Sequence, residues 1–224
     1  MARLIKPTGW YSQSETMSEA SSRTSILKTA RNLMLKYGYA ATSVDDICSS
    51  AGVTKGSLYH FFETKEELGM VVLNGFYDEG VARVARGPHA EMNDPYQRLL
   101  GLFDHLEAIG PELWRDGCLM GNFACELSES SPIIRRRVSE IFEELVNKLA
   151  PIFRPIARRR KEADELAEQT LMVIEGAVVM AKAHNDPNRI ASGLRFFRRT
   201  IEARIQESRR ATGKTNRGRA SSPL

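Results

Sequence analysis

The stretch GVTKGSLYHFF, at residues 52–62, carries side chains suited to contact with a nucleic acid. Leu58, Phe61 and Phe62 stand at i, i+3 and i+4 of a helix, so they share one apolar face. The opposite face combines hydroxyl groups, positive charge, two rings and a glycine that lets a backbone approach closely. Such a face presents hydrogen-bond donors to phosphates and to base edges in a groove. Its residues are Thr54, Lys55, Gly56, Ser57, Tyr59 and His60.

The preceding residues predict the helices that must position this face. Thr42 or Ser43 caps a short helix, and Asp46 stands three residues after Ser43, as in a capping box. Gly52 turns the chain, and Thr54 caps the next helix. Two short helices separated by a glycine turn are typical of a helix-turn-helix, whose second helix enters the major groove of DNA.

Signals that begin and end helices continue along the rest of the chain. The pairs Asp94-Pro95, Ser131-Pro132 and Asp186-Pro187 place proline at a first helical position. Gly110-Pro111 is predicted to end one helix, and Pro151 another. No run of alternating β-branched residues predicts a strand. The predicted fold class is therefore all-α, with about nine helices.

Composition favours a cytoplasmic protein that tolerates a polyanionic partner. The 224 residues carry a formal net charge of +4. Three cysteines cannot all pair, so a reducing cytoplasm is expected. The most apolar run, residues 171–181, is short and contains Glu175, so no membrane span is predicted.

The motifs of common enzymes and metal sites do not occur in this sequence. It has no phosphate-binding glycine loop, no paired-histidine zinc motif and no nucleophile elbow. The four histidines form no cluster along the chain. We therefore expect no enzymatic activity, no metal and no cofactor, although a Cys118–His105 pair brought together by folding stays open at this point.

The segment TSVDDICSSAGVTKGSLYHFFETKEEL, residues 42–68, resembles the DNA-binding signature of the TetR (tetracycline-repressor) family of bacterial transcription regulators. The resemblance is close over residues 22–82 and extends to the remainder only in helical layout. It implies a homodimeric repressor that leaves a palindromic operator when a small-molecule effector enters the C-terminal domain. It also implies that the six residues of the 54–60 face contact double-stranded DNA, and that Thr42 and Lys65 hold phosphates.

This resemblance, together with composition, predicts four regions. The sequence predicts a disordered arm over 1–20, a helix-turn-helix DNA-binding domain over 22–82, a ligand-binding and dimerisation domain over 83–207, and a disordered basic tail over 208–224. The basic tail leaves one rival reading open, which is a protein that binds DNA without sequence preference.

A stripe rich in small residues on the last two helices is the predicted dimer interface. Small residues let helices approach closely, so two such helices from each subunit can form a four-helix interface. The alternative is an ordinary core within one subunit. The residues are Ala167, Thr170, Leu171, Ile174, Ala177, Val178 and Ala181 on one helix, and Leu194, Phe197 and Ile201 on the next.

The stretch DGCLMGNFACEL, residues 116–127, places Cys118 at a predicted helix start. A helix N-terminus stabilises a thiolate, so one hypothesis is a repressor that senses electrophiles or oxidants through Cys118. GCLMGN also resembles a TetR subgroup that includes sensors of electrophiles and of small unsaturated carboxylates. The alternative is that Cys118 is a buried apolar residue. The predicted effector pocket comprises Phe103, His105, Trp114, Cys118, Asn122, Phe123 and Phe142.

Overall fold

The computed structural model describes residues 17–219, with the backbone alone at 17–18 and 211–219. Within that range the chain forms nine α-helices, two short 3₁₀ helices and no strand, so the predicted all-α fold is confirmed. The 3₁₀ helices are Pro88–Glu91 and Arg154–Ile156. The α-helices are α1 (Met17–Tyr37), α2 (Val44–Ala51), α3 (Lys55–Phe61), α4 (Lys65–Ala85), α5 (Pro95–Leu113), α6 (Leu119–Leu127), α7 (Pro132–Phe153), α8 (Arg160–His184) and α9 (Asn188–Arg219).

The chain divides into two compact units, and the division falls inside α4, between Leu73 and Asn74. The boundary predicted at 82/83 lies nine residues further along the same helix. Helix α4 is continuous across this point, and Gly75 lies inside it without ending it.

The first unit is organised by local caps and by a small apolar core. The Ser43 hydroxyl accepts a hydrogen bond from the Asp46 N–H at 3.0 Å, and Asp46 Oδ2 accepts one from the Ser43 N–H at 2.9 Å. The predicted capping box thus begins α2. Gly52 ends α2 in the left-handed region, at φ 69°, which favours glycine. The core residues include Ile26, Ala30, Met34, Ile47, Leu58 and Phe62.

The second unit is built on contacts of α8 with α7 and α9, and of α5 with α9. Asp94 caps α5 by accepting from the Gln97 N–H at 2.7 Å. Two ion pairs join α5 to α9. Arg195 Nε lies 3.1 Å from a carboxylate oxygen of Glu107, and Arg198 Nη2 lies 3.0 Å from Asp104 Oδ1. The residues at the centre of this unit include Leu102, Phe103, Phe123, Ile141, Phe153, Ile174 and Leu194.

Several predicted helix ends and the disordered ends differ from the structure. Helix α5 continues past Pro111, because the Trp114 N–H still bonds to the Gly110 carbonyl beyond the missing donor. Helix α7 likewise contains Pro151. Residues 17–20 belong to α1, and residues 208–219 belong to α9, where disorder was predicted. The remaining residues of the predicted arm and tail, 1–16 and 220–224, lie outside the described range.

The predicted dimer stripe of α8 and α9 is an internal core. Leu171 and Phe197 are half-buried and the other residues of the stripe are buried within one chain. The reason is that α8 packs against both α7 and α9, so its small residues permit close helix contacts inside its own unit.

Candidate functional site

Helix α3 is held by one cap and two buried side chains. Thr54 Oγ1 accepts from the Ser57 N–H at 3.1 Å, and the Leu58 N–H donates to the Thr54 carbonyl at 3.1 Å. Leu58 and Phe62 are almost completely buried, and Phe61 is half-buried. The apolar face predicted for this segment is therefore the face that α3 packs into the first unit.

The opposite face of α3 is exposed over its whole length. Thr54, Lys55, Gly56, Tyr59 and His60 are exposed, and Ser57 is half-buried. The glycine leaves a gap there, since an added Cβ would meet only Thr54 Oγ1, at 3.7 Å. The six residues proposed from the sequence thus form one surface of hydroxyl, ammonium, phenol and imidazole groups, which we call the recognition face.

Two carboxylates partly balance the charge of the recognition face. Lys55 Nζ lies 2.7 Å from Asp45 Oδ1, and this hydrogen bond raises the pKa of the Lys55 ammonium. His60 Nε2 lies 3.8 Å from a carboxylate oxygen of Glu19. Both pairs are exposed, so each contributes little to stability and is readily exchanged for another anion.

Thr42 and Lys65 both interact with the turn between α1 and α2. Thr42 is only 1% exposed; its hydroxyl donates to the Gly38 carbonyl at 2.7 Å, and its N–H donates to the Tyr39 carbonyl. The predicted phosphate contact at Thr42 is therefore wrong, because both of its donors are used inside the unit. Lys65 Nζ donates to the Tyr39 carbonyl at 2.7 Å and lies 4.3 Å from the Tyr39 ring centroid.

The residues predicted to line an effector pocket occupy different environments in the second unit. Phe103 and Phe123 are fully buried core residues, and Phe103 packs against Phe153 with ring centroids 6.3 Å apart. His105 Nε2 lies 3.1 Å from the Arg83 carbonyl oxygen. Trp114 caps the end of α5, and the Asn122 N–H bonds to the Cys118 carbonyl. Of the seven, Phe142 alone is among the residues that line a groove described between α7 and α8.

Cys118 stands at the N-cap of α6, as predicted, but its thiol is not activated. Burial raises the pKa of the Cys118 thiol well above its ordinary value, and the Glu175 carboxyl beside it raises that pKa further. The N–H groups of Met120 and Gly121 at the start of α6 lower it, with smaller effect. The thiol is also only 2% exposed, so its burial and its raised pKa both argue against the hypothesis of a reactive thiolate.

Exposed apolar side chains on α8 and α9 were missed by the sequence reasoning. Val179 is 64% exposed and Phe196 74% exposed, and Met172 and Met180 are also exposed. On α8, Met172, Val179 and Met180 stand at i, i+7 and i+8 and therefore share one helix face. This face lies next to the face that carries the buried stripe. That spacing was visible in the sequence, but which of the two neighbouring stripes faces outward was not.

Comparison with known proteins gives the family. Residues 26–69 match the family described as "Bacterial regulatory proteins, tetR family". The repressor DhaR of Mycobacterium sp. (strain GP1) is 30% identical to this chain over 171 residues, which are 74% of this chain and 85% of DhaR. The chain belongs to the TetR family of transcription regulators. It is thus a regulator with a helix-turn-helix and not an enzyme.

Further TetR-family similarities cover the second unit as well. Residues 102–192 match the "Transcriptional regulator LmrA/YxaF-like, C-terminal domain". The regulator AcuR of Cereibacter sphaeroides is 28% identical over 82% of this chain and 86% of its own length. A solved TetR regulator from Chloroflexus aurantiacus shares 25% identity, with a TM-score of 0.73 over 84% of this chain and 97% of that chain. Within residues 17–219, no helix is long and apolar enough to span a membrane.

Proposed function

We propose that this TetR-family regulator is a homodimeric repressor that binds a palindromic operator through its two α3 helices. The observation that carries the proposal is the recognition face, which is exposed and polar while Leu58 and Phe62 anchor the same helix in the core. A rigidly held helix with small and hydroxyl-bearing residues at its leading end fits the major groove. The similarity to a protein named as a repressor supports repression.

The residues of the recognition face have separable roles in this proposal. Tyr59 and His60 offer rings and single hydrogen-bond donors to base edges, whereas Lys55 and Lys65 offer ammonium groups to phosphates. Lys55 exchanges the carboxylate of Asp45 for a phosphate oxygen at little cost, because the pair is exposed. Tyr39 holds Lys65 from behind by a hydrogen bond and a cation–π contact. Specificity therefore resides in α3, and part of the salt-dependent affinity in the lysines.

A small-molecule effector that binds the second unit would release the operator. The second unit is helical, separate from the first, and similar to a C-terminal domain of transcription regulators. A ligand that binds better to a form whose two α3 helices do not match the operator shifts the population away from DNA binding. Modification of Cys118 is not the trigger in this proposal, because its thiol is buried and protonated.

The test is selection of DNA duplexes from a random library by the purified full-length chain, followed by fluorescence anisotropy on the enriched sequence. We expect a palindrome with half-sites one helical turn apart, bound far more tightly than random DNA. Tyr59→Ala is expected to weaken binding to this palindrome by about tenfold or more, the scale of one lost base contact.

A matched control and the rival function are tested on the same DNA. Tyr37→Ala removes another exposed tyrosine of the first unit, on α1 and outside the recognition face, and should bind like the native chain. Equal affinity for the selected and the random duplexes would show that the protein coats DNA without sequence preference. A Tyr59→Ala variant that binds like native would remove α3 from the interface.

A further inference from the structure

A groove between α7 and α8 in the second unit is not explained by the fold or by DNA binding. Its volume is about 690 Å³, in the range of sites that hold drug-sized molecules. All of its lining residues come from these two helices. We call it the α7–α8 groove.

One part of the α7–α8 groove is apolar. Phe142 and Val146 line it from α7, and Leu171 and Met172 line it from α8. Phe142, Val146 and Leu171 are half-buried, so each offers carbon surface that a ligand would remove from water. The body of a suitable ligand is therefore apolar, and an aromatic ring beside Phe142 would add a stacking contact.

The charge of the α7–α8 groove has one sign. Its lining includes the carboxyls of Glu143, Asp164, Glu168 and Glu175 and contains no lysine or arginine. This is unusual in a chain with 32 basic and 28 acidic residues. Among the side chains that the structure describes, none forms an ion pair with any of the four carboxyls. Apolar walls concentrate the resulting negative potential and raise the local concentration of cations.

Glu175 gives the groove its most constrained carboxyl. It is half-buried on α8, it accepts a hydrogen bond from the Cys118 thiol, and it packs against Gly121 of α6. A Cβ on residue 121 would lie 2.5 Å from Glu175 Oε2, so the glycine provides the space that the carboxyl occupies. Burial raises the pKa of this carboxyl. A bound cation would offset the cost of burying its charge.

We propose that the α7–α8 groove binds an amphipathic organic cation, with its ammonium group at Glu175 and its apolar body along Phe142, Val146 and Leu171. The choice of a cation rests on charge complementarity, because the four carboxyls repel an anion and add nothing to the binding of a neutral molecule. That this molecule is also the effector rests on the proposed function; that it binds does not.

The test uses three probes that share one fluorescent apolar body. Dansylcadaverine carries a primary ammonium at the end of a five-carbon chain, its N-acetyl derivative is neutral, and dansyl-aminohexanoate carries a carboxylate. Each is titrated into the full-length protein without DNA, and dansyl emission reports entry into an apolar site. We expect saturable binding of dansylcadaverine that weakens with salt, weaker binding of the neutral probe, and no binding of the carboxylate probe.

Variants locate the binding site. Glu175→Gln keeps an acceptor for the Cys118 thiol and removes the charge, so it should weaken dansylcadaverine by about tenfold without affecting the neutral probe. Phe142→Ala should weaken both probes. Glu165→Gln is the matched control, because this exposed glutamate lies on α8 but outside the groove. Glu168→Gln removes another carboxyl of the groove. Because Glu168 is exposed, this variant should fold normally, so a change in its binding reports on the groove itself.

The outcomes separate this proposal from that of the repressor. Equal binding of all three probes overturns the cation site, and so does an equal loss of dansylcadaverine binding in Glu165→Gln, Glu175→Gln and Glu168→Gln. Specific operator binding in the absence of probe binding leaves the repressor standing and removes the cation. Probe binding that depends on Glu175 in a protein without operator preference would support the site and refute the repressor. If dansylcadaverine is also an effector, its addition to the complex of protein and operator should release the DNA. The fluorescence anisotropy of the labelled operator should then fall.

Discussion

At the scale of single residues, the reactivity of a side chain depends on its burial as well as on its place in a helix. Cys118 occupies the N-cap of α6, where N–H groups favour a thiolate. Yet the thiol is buried beside the Glu175 carboxyl, and a thiolate there would lose its hydration and face a second acidic group. The loss of solvation exceeds the gain from the helix, so the residue is a protonated donor rather than a nucleophile.

The reactivity of the three thiols follows from their burial. A water-soluble maleimide at neutral pH should label Cys125, which is exposed, and leave Cys48 and Cys118 unmodified until the chain is unfolded. Peptide mass spectrometry after a timed reaction measures this. Cys125→Ser should abolish labelling of the native chain. Rapid labelling of Cys118 in the folded protein would contradict its assignment as a buried thiol and revive the sensing hypothesis.

At the scale of helices, the sequence predicts the hydrogen bonds that join residues within one helical turn. Ser43, Thr54, Asp94 and Ser131 each accept a hydrogen bond from the N–H three residues later. Caps of this kind depend on residue type and a fixed spacing, so they can be read without knowing the fold. The same local logic predicts which side of α3 is exposed, because one buried stripe on a short helix determines the opposite side.

Features that depend on contacts between helices were not predictable in this way. The family resemblance implies a phosphate contact for Thr42, but the turn after α1 uses its hydroxyl. Helix α8 has two neighbouring apolar stripes, and the one buried in its own unit was taken for the dimer interface. The pairing of Glu175 with Cys118 joins α8 to α6 across a long stretch of chain. Neither periodicity nor composition contains that information.

A polar cluster in the second unit joins the later part of α4 to α7. The Tyr77 hydroxyl donates to Glu144 Oε2 at 2.7 Å, and Arg137 Nη1 donates to Glu144 Oε1 at 2.7 Å. Arg137 also donates to Asn74 Oδ1 at 2.7 Å. Arg137, and then Tyr77, lower the pKa of the Glu144 carboxyl, whereas burial and this hydrogen bond raise the pKa of the Tyr77 phenol. Glu144 is thus the shared acceptor between the two helices.

The lowered pKa of Glu144 gives a defined pH dependence of stability. Its contribution is fully present above the ordinary glutamate pKa of about 4.3 and is lost as the pH falls through its lower folded-state pKa. Glu144→Gln should cost about 1 kcal/mol at pH 7, a modest value because the ion pair is partly exposed. The difference should shrink towards zero in acid. Urea unfolding followed by circular dichroism at several pH values measures it.

The control for this prediction is the neighbouring carboxylate on the same helix. Glu143→Gln removes an exposed charge that has no ion pair among the described side chains, so its stability should follow that of the native chain at every pH. A difference between native and Glu144→Gln that stayed constant down to pH 2 would mean that packing, and not the carboxylate, stabilises the contact between α4 and α7.

At the scale of the whole molecule, the proposed dimer would cover apolar side chains that are exposed on α8 and α9. Val179 and Met180 on α8, and Phe196 on α9, are large apolar side chains exposed in the single chain. Where such side chains adjoin on two packed helices, their apolar surface marks an association site in proteins that are stable in water. A palindromic operator requires two α3 helices about 34 Å apart, and a two-fold dimer supplies both. The proposed interface is therefore this exposed surface and not the buried stripe beside it.

Substitution at the centre of this surface tests the dimer. Val179→Asp places a charge where the two copies would meet, and an unpaired buried carboxylate costs several kcal/mol, so the dimer should dissociate. Analytical ultracentrifugation should give the mass of one chain instead of two, and affinity for the full palindrome should fall with it. Ile133→Asp is the matched control, because Ile133 is equally apolar and exposed but lies on α7. Dissociation by both variants would indicate general destabilisation, whereas an intact Val179→Asp dimer would place the interface elsewhere on the chain.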